Sequence, residues 1–352
     1  MAGRKSLDKI SLSAPRTWSN EKGAFLSALR SPWYQLVTNL EDTVLAGTVD
    51  YAHSRGLRAM YPPMTTRTVT CPSGLGSDSA PVRVAVCGVD TYLVDSLQFS
   101  LEYGMRILPG GSFTIMPSFR HEEPDGTHLG QFLHSEAEIP GGLDELTDYV
   151  EGYVRHLTWM ILDRHADDVA AAACGLSHME RMLESSDPFL RLTFDDAADL
   201  LHNDSRYVQD EGDWRILTRE GERRLMDTVG EFVWVTDHDH LSVPFYQAFA
   251  NSGQTKAANA DLLFGMGEVV GSGERHVSGD EVRKALALHD VPERDYDWYI
   301  RMKDEFPMRT SGFGMGVERF LMWVLHHDDI RDIPVISRVA EDQQWPDSVH
   351  RP

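Results

Sequence analysis

Two arginine-bearing segments far apart in this chain, FRHEE at Phe119 to Glu123 and GFGMGVERF at Gly312 to Phe320, constrain its fold more than any other feature. In the first, Arg120 and Glu122 stand two apart on what reads as a strand, so both point to one side of it. In the second, Arg319 follows a glycine run that opens a helix, where backbone can come close to a ligand. Two fixed cations around such backbone suit a polyphosphate held for attack at phosphorus with little water admitted. The expectation is an ATP-using enzyme.

Composition sets the surroundings. At 352 residues the chain can bury one large core or two modest ones, and 41% hydrophobic with 25% charged content is ordinary for a folded protein. Fifty-five acidic against 33 basic side chains leave a net charge of −22, which repels a nucleic-acid backbone, so tRNA is not an expected partner. Cys71, Cys87 and Cys174 are odd in number and far apart with no CxxC, which suggests neither a disulfide framework nor a zinc site. They are expected as reduced thiols. No run approaches the ~18 apolar residues of a membrane span, and the first residues lack the apolar centre of a secretory signal. A cytoplasmic location is expected.

Residues 1–30 mix Lys, Ser and Pro without period and read as an irregular arm, with the ordered core starting at Ser31. Trp33, Leu36, Val37, Leu40, Val44 and Leu45 then follow helical spacing, and Gly56 stands where that helix would stop. LRAMYPPMTT reads as a short strand ended by prolines, and residues 70–81 as a mobile Gly/Ser-rich loop suited to act as a lid. Between Val82 and Glu138, the segments VRVAVCGV, TYLVDS, SFTIMPSFRHEE and HLGQFLHSEAEI read as an antiparallel sheet, with PDGT as the last turn. Helical pattern runs from Gly142 to Glu184, and Thr193 with Asp196 makes an approximate capping box. Residues 203–230 are charge-rich with little period and are expected as surface structure. EFVWVTD and ADLLFGMGEVV return to strand, Ser278 and Glu281 box another helix start, and GFGMGVERFLMWVLHHDDI closes the core as strand, glycine turn and helix. The mixed order indicates an α+β fold, a single catalytic domain on an antiparallel sheet.

Parity places Arg120 and Glu122 on one strand face, and His128, Phe132 and Glu136 on one face of the returning strand. Such a hairpin would offer a cation for an α-phosphate, a carboxylate for an amine proton, a ring for a base, and His128 near the outer phosphates. Taken alone, it fits better a plainer arrangement, with Phe132 in the core and Arg120 paired to Glu122 or Glu123. Asp261 and Glu268 flank LLFGMG and can each reach a hard cation that bridges phosphates, as Mg²⁺ does. The run Gly312, Gly314, Gly316 resembles a dinucleotide fingerprint, but too little chain follows for the crossover and remaining sheet, so that reading is rejected. DHDH at Asp237 to His240 reads as surface or site wall, and His326 with His327 as a solvated helix end.

Taken in order, these segments resemble the three signature motifs of class II aminoacyl-tRNA synthetases, most closely the aspartate and asparagine subgroup. The helix with GLRAMYPP (about 31–66) resembles motif 1, FRHEE to HLGQFLHSEAE (113–138) motif 2, and GFGMGVERF followed by IRDI (312–338) motif 3. The resemblance implies a class II synthetase-like antiparallel β-sheet flanked by helices over 31–340, with a helical and charged insertion at 142–230 and a tail at 341–352. It implies a homodimer through motif 1. It also implies that Arg120 and Arg319 hold the α- and γ-phosphates of ATP, Glu122 the adenine amine, Phe132 the adenine face and His128 the γ-phosphate, with Asp261 and Glu268 on Mg²⁺. Ser96 and Gln98 match residues that hold the substrate α-ammonium, and Arg275 matches the arginine that grips the side-chain oxygen of aspartate or asparagine.

Two positions bear on which amino acid binds. Aspartate-type members carry a lysine where this chain has Leu101, and an aspartate where it has Glu136, as asparagine-type members do. A carboxylate facing the side-chain end repels aspartate and accepts from an amide, so the pocket leans toward asparagine. Departures concern the acceptor: an anticodon-binding barrel is not expected ahead of the core, the motif 2 loop is short, and the arginine usually beside the matching histidine is Thr127. The plan is similar to the stand-alone archaeal asparagine synthetase related to this subgroup, although that enzyme has the lysine missing here. The function expected is AMP-forming activation of asparagine or aspartate with transfer to ammonia or a small amine. Alternatives are asparaginyl-tRNA synthesis, dehydration of the asparagine amide to a nitrile, and a non-catalytic binding paralogue.

Overall fold

The computed structural model of the protein describes residues 12–18, 25–72, 80–184 and 186–336. Short α1 (Phe25–Ala28) precedes α2 (Pro32–Ser54), which begins with extended Ser31 and a proline in its first turn and ends before Gly56 at φ +85°. Next come β1 (Arg58–Ala59) and β2 (Thr65–Thr66), then the hairpin β3 (Arg83–Val86) and β4 (Val89–Leu93), turned through Cys87 and Gly88 at positive φ. Helix α3 (Gln98–Ile107) leads to the long antiparallel pair β5 (Ser112–Phe119) and β6 (Gln131–Pro140). Helices α4 (Leu143–Ala173) and α5 (Ser177–Glu184) follow, then β7 (Leu190–Thr193), α6 (Phe194–Leu200), the hairpin β8 (Val208–Asp210) and β9 (Arg215–Leu217), and α7 (Arg219–Val229). The chain returns through β10 (Val233–Thr236), β11 (Asn259–Phe264) and β12 (Gly267–Glu274), then α8 (Gly279–Leu288) and α9 (Asp297–Glu305), and ends in β13 (Thr310–Gly316) and α10 (Val317–Val324).

Eight strands form one sheet in the order β1-β5-β6-β13-β12-β11-β10-β7. Its six middle strands are antiparallel, and each edge strand pairs parallel to its neighbour. The α+β expectation is met, with the parallel edges as an addition. Alternation then divides the two faces. On one, Phe313 and Met315 of β13 and Ser135 and Ala137 of β6 meet α2 and α4; Phe313 lies 5.8 and 5.5 Å from the rings of Tyr149 and Tyr153, and Ser135 bonds Tyr153 at 2.8 Å. Burying each large apolar side chain of this layer stabilises the fold by about 1.5–3 kcal/mol. The other face carries the polar, even-numbered residues of β6 and is roofed by α3, α8 and α9, whose own core is Phe99, Phe245, Tyr299 and Ile300.

Several expectations need correction. The strand carrying Arg120 stops at Phe119, so Arg120 and Glu122 sit just past its end, and His128 precedes β6 rather than lying on it. The glycines of GFGMG lie inside β13 and not in a turn. The stretch 82–138 supplies two sheets, because β2, β4 and β3 pair separately from β5 and β6. The helical run breaks after Ala173, where Cys174 adopts φ 58° and Gly175 φ 145°. The surface structure expected within 203–230 is a hairpin and the helix α7, which buries Leu225 and Met226 on its inner side. The arm contributes Thr17, bonded to Tyr34 at 2.9 Å, and Trp18, bonded to Asp332 at 2.7 Å. His327 is half-buried and lies 3.0 Å from Asp332, whereas His326 is exposed as expected. Most of the expected lid, 73–79, lies outside the described residues, as do 337–338 of the third motif and the tail 341–352.

Candidate active site

The polar face of the sheet opens as a cleft of about 410 Å³ over Gly271 and Gly314, part of a block of four glycines on β12 and β13. Gly271 on β12 pairs with Gly314 on β13, and Gly273 with Gly312. None of the four has the left-handed φ that would itself require glycine; their role is space. A Cβ at Gly271 would lie 2.8 Å from Glu268 Oε1, and one at Gly312, Gly314 or Gly273 would run into Glu138, His134 or Gln247. Side chains from the neighbouring strands therefore lean inward over bare backbone. On β6 these are His134, Glu136 and Glu138, opposite Gly316, Gly314 and Gly312, with Phe132 next along the strand; on β11 they are Asn259 and Asp261, opposite the β12 glycines.

A β-bulge places the acid expected on a cation. The β11–β12 register runs Leu262 to Val270 and then Leu263 to Glu268, so Val269 is extra. In a regular ladder Glu268 would turn to the helix face; the bulge turns it to the cleft beside Asp261. Glu222 from α7 is a third carboxylate here and accepts from the Glu268 amide at 3.2 Å. Burial first, then repulsion from Glu268 and Glu222, raises Asp261 well above the ordinary range, and burial with Glu268 raises Glu222 to about 7. Asp261 and Glu268 fit the one or two carboxylates that Mg²⁺ takes beside phosphate oxygens. Among the described residues, no group of three or more His, Cys, Asp or Glu is arranged to hold a metal ion. Of DHDH, His238 Nε2 lies 3.5 Å from Asp261, while His240 bonds His289 at 3.0 Å in a separate buried group.

The two arginines converge from opposite sides. Arg319, in the first turn of α10, donates to the Glu268 carbonyl at 2.8 Å, and the preceding Glu318 fixes that helix to β6 by accepting from Leu133 N at 2.9 Å. Arg120 lies with its guanidinium 5.4 Å from the Phe132 ring centroid, and its Nε is buried without a partner. Burial opposes the charge on Arg120, but Cys71, Glu122, Glu268 and Asp95 more than offset this and raise its pKa. At the outer end, Asp125 accepts from Thr127 N at 2.7 Å and His128 N at 2.8 Å, shaping the PDGT turn. Arg219 of α7 reaches this turn, donating to Thr127 Oγ1 at 2.5 Å and to His128 Nδ1 at 2.6 Å. Burial, then Arg219 and Arg319, lower the pKa of His128 and hold it neutral. A cation from α7 thus stands beside Thr127.

The inner end is a buried charge network. Glu136 accepts from Ser96 Oγ and, at 2.9 Å, from Leu97 N; burial raises it to about 7. Arg275 donates to Glu138 at 2.7 and 3.0 Å and to Gln247 at 2.9 Å, and its guanidinium lies 5.1 Å from the Tyr246 centroid. Gln98 donates to Glu102, leaving its own Oε1 buried and unpartnered. Leu101 is fully buried, and the nearby cation comes from α9: Lys303 pairs with Glu102 and donates to the His276 carbonyl at 2.7 Å. Asp95 anchors the foot of the expected lid by accepting from Thr70 N at 3.0 Å and Cys71 N at 2.6 Å. All eleven residues expected in the site line this one cleft. Sequence reasoning passed over Asp95, His134, Glu222, Arg219 and Lys303. Parity alone would have reached His134, which lies between Phe132 and Glu136.

A cleft with an open glycine floor, two converging arginines, paired acids and a polar inner end defines an α+β domain built to hold a nucleotide beside a small polar molecule. The family described as tRNA synthetases class II (D, K and N) matches residues 21–339, and the chain belongs to it. Similar proteins include the asparagine–tRNA ligases of Thermoplasma acidophilum, 26% identical over 86% of this chain and 69% of that one, and of Clostridium kluyveri, 31% identical over 73% and 57%. The chain thus spans little more than half of the second relative's length. The asparaginyl-tRNA synthetase of Pyrococcus horikoshii complexed with asparaginyl-adenylate has the same fold, with a TM-score of 0.80 and 23% identity over 90% of this chain and 71% of that one. The aspartate and asparagine subgroup read from the motifs is the one these proteins represent.

Proposed function

We propose that the protein activates asparagine with ATP, forming an aminoacyl-adenylate and pyrophosphate. The observation that carries this is the convergence of Arg120, Arg319, Asp261 and Glu268 on a glycine floor that continues into the Glu136 and Arg275 pocket. The nucleotide lies at the Phe132 end, with Glu122 on the adenine amine and His128 and Arg319 toward the outer phosphates. The amino acid lies at the inner end, its α-ammonium near Ser96 and Gln98 and its side-chain oxygen on Arg275. Glu136 faces it as a buried acceptor without a cation of its own, which favours an amide over a carboxylate. A substrate carboxylate oxygen attacks the α-phosphorus, the bond to the bridging oxygen breaks, and pyrophosphate leaves with the electron pair. Arg120 and Arg319 stabilise the charge that develops. Mg²⁺, held by Asp261 and Glu268, would supply further charge neutralisation on the phosphates.

Two acceptors are supported by separate observations. The names of the relatives favour tRNA. The net charge of −22 favours ammonia or a small amine. Association through motif 1 is supported by apolar side chains left open near that segment, Tyr61 at 83% and Ile107 at 64% exposure. The test is ATP–pyrophosphate exchange with Mg²⁺ and either asparagine or aspartate. Exchange with asparagine is expected, and Arg319→Ala should lower it by about 10²–10³-fold at unchanged circular dichroism. Exchange at the wild-type rate in that variant would overturn the mechanism.

A further inference from the structure

We propose that His134 is the base that receives the proton of an acceptor nitrogen as it attacks the adenylate carbonyl; this rests on the activation reading above. Phe132, His134 and Glu136 occupy alternate positions of β6 on the cleft face. Alternate residues of a strand are spaced by about 6.6–6.8 Å. With the adenine at Phe132 and the side-chain pocket at Glu136, His134 stands where the two halves of an adenylate join.

One hydrogen bond holds the ring, between Nδ1 and Ser118 Oγ at 3.2 Å, and Glu136 Oε1 lies 3.3 Å from the same nitrogen. The tautomer with its proton on Nδ1, toward the Ser118 hydroxyl and the Glu136 carboxylate, leaves the lone pair on Nε2 and is the one the proposal uses. Nε2 overhangs Gly314, a place it can occupy only because that residue has no Cβ. Burial, then the charges of Arg120 and Arg319, hold the imidazole neutral, with a pKa down at about 3 despite Asp95 and Glu268. Those two arginines are the ones an α-phosphate would engage. An α-phosphate on these arginines offsets their part of the depression, while burial, its larger cause, remains.

The step balances without a further reactant. The amine nitrogen bonds to the carbonyl carbon, the carbon–oxygen bond to phosphate breaks, AMP leaves with that electron pair, and the nitrogen's proton passes to Nε2. The product is an amide.

The test compares wild type with His134→Gln, using ATP, Mg²⁺ and asparagine or aspartate, with ammonium chloride as the acceptor probe. Pyrophosphate exchange reports activation, and mass analysis of the amide reports transfer. The ratio of transfer to exchange is expected to fall by about 10²-fold or more in the variant. An unchanged ratio would overturn the assignment, as would wild-type exchange with no amide. Absence of exchange in the wild type would overturn the activation reading itself. Because the ratio is taken within each variant, partial loss of folded protein cancels.

Discussion

At the scale of residues, the pocket's inner end depends on charges that never meet water. Lys303 and Glu102 are both fully buried, and Glu102 also accepts from Tyr299 at 2.6 Å and from Gln98. A buried ion pair contributes little net stability, but removing one partner strands the other. Lys303→Met should therefore destabilise the protein by about 3–5 kcal/mol in denaturant unfolding, and Glu102→Gln on that background should recover part of the loss. Equal stability of Lys303→Met and wild type would mean that Glu102 is already neutral. Arg120, Glu136 and Arg275 were legible in the sequence because each stands within or beside a segment that resembles a family motif, although Arg120 and Arg275 lie just past the ends of their strands. Lys303 was not, since it serves the pocket from a helix far away in sequence and only the tertiary fold brings it under Gln98.

At the scale of elements, helix α7 is what the sequence hid. Its charged surface breaks the apolar period, yet Thr218 caps it by accepting from Gly221 N at 3.0 Å, and Leu225 and Met226 bury one side. Gly221 packs directly on the Tyr207 carbonyl, so a Cβ there collides with backbone that cannot rotate away. Gly221→Ala should cost about 1–3 kcal/mol and lift Glu222 and Arg219 away from the site. Calorimetry together with the ATP dependence of pyrophosphate exchange checks both halves; a normal KM for ATP would separate α7 from nucleotide binding. Element α2 was legible because a 23-residue helix repeats its apolar stripe several times. The glycine strand β13 reads as a turn in the sequence because glycine is depleted in strands, and only the fold shows the neighbouring Glu138 and His134 side chains that need the room. The bulge at Val269 has no sequence signal at all.

At the scale of the whole molecule, the sheet separates two tasks, with α2, α4 and α10 giving rigidity on one side and the cleft on the other. The open apolar residues near motif 1 belong to this scale, since they lie apart from the cleft on the flank of α3 and β1. Light scattering should give a mass of about twice the 39.7 kDa chain; a monomer at micromolar concentration would remove the dimer from the proposal. The fold class and subgroup were readable because several motifs agree in order, whereas the acceptor depends on surfaces that no motif encodes. The two glycines of the block that line the cleft, Gly271 and Gly314, also set a rule for redesign. Each already has the smallest side chain available, so substitution there can only raise the floor and exclude bulkier substrates. Any variant meant to admit a larger amino acid must be cut from the walls instead, at positions such as Gln98, Tyr246 or Gln247.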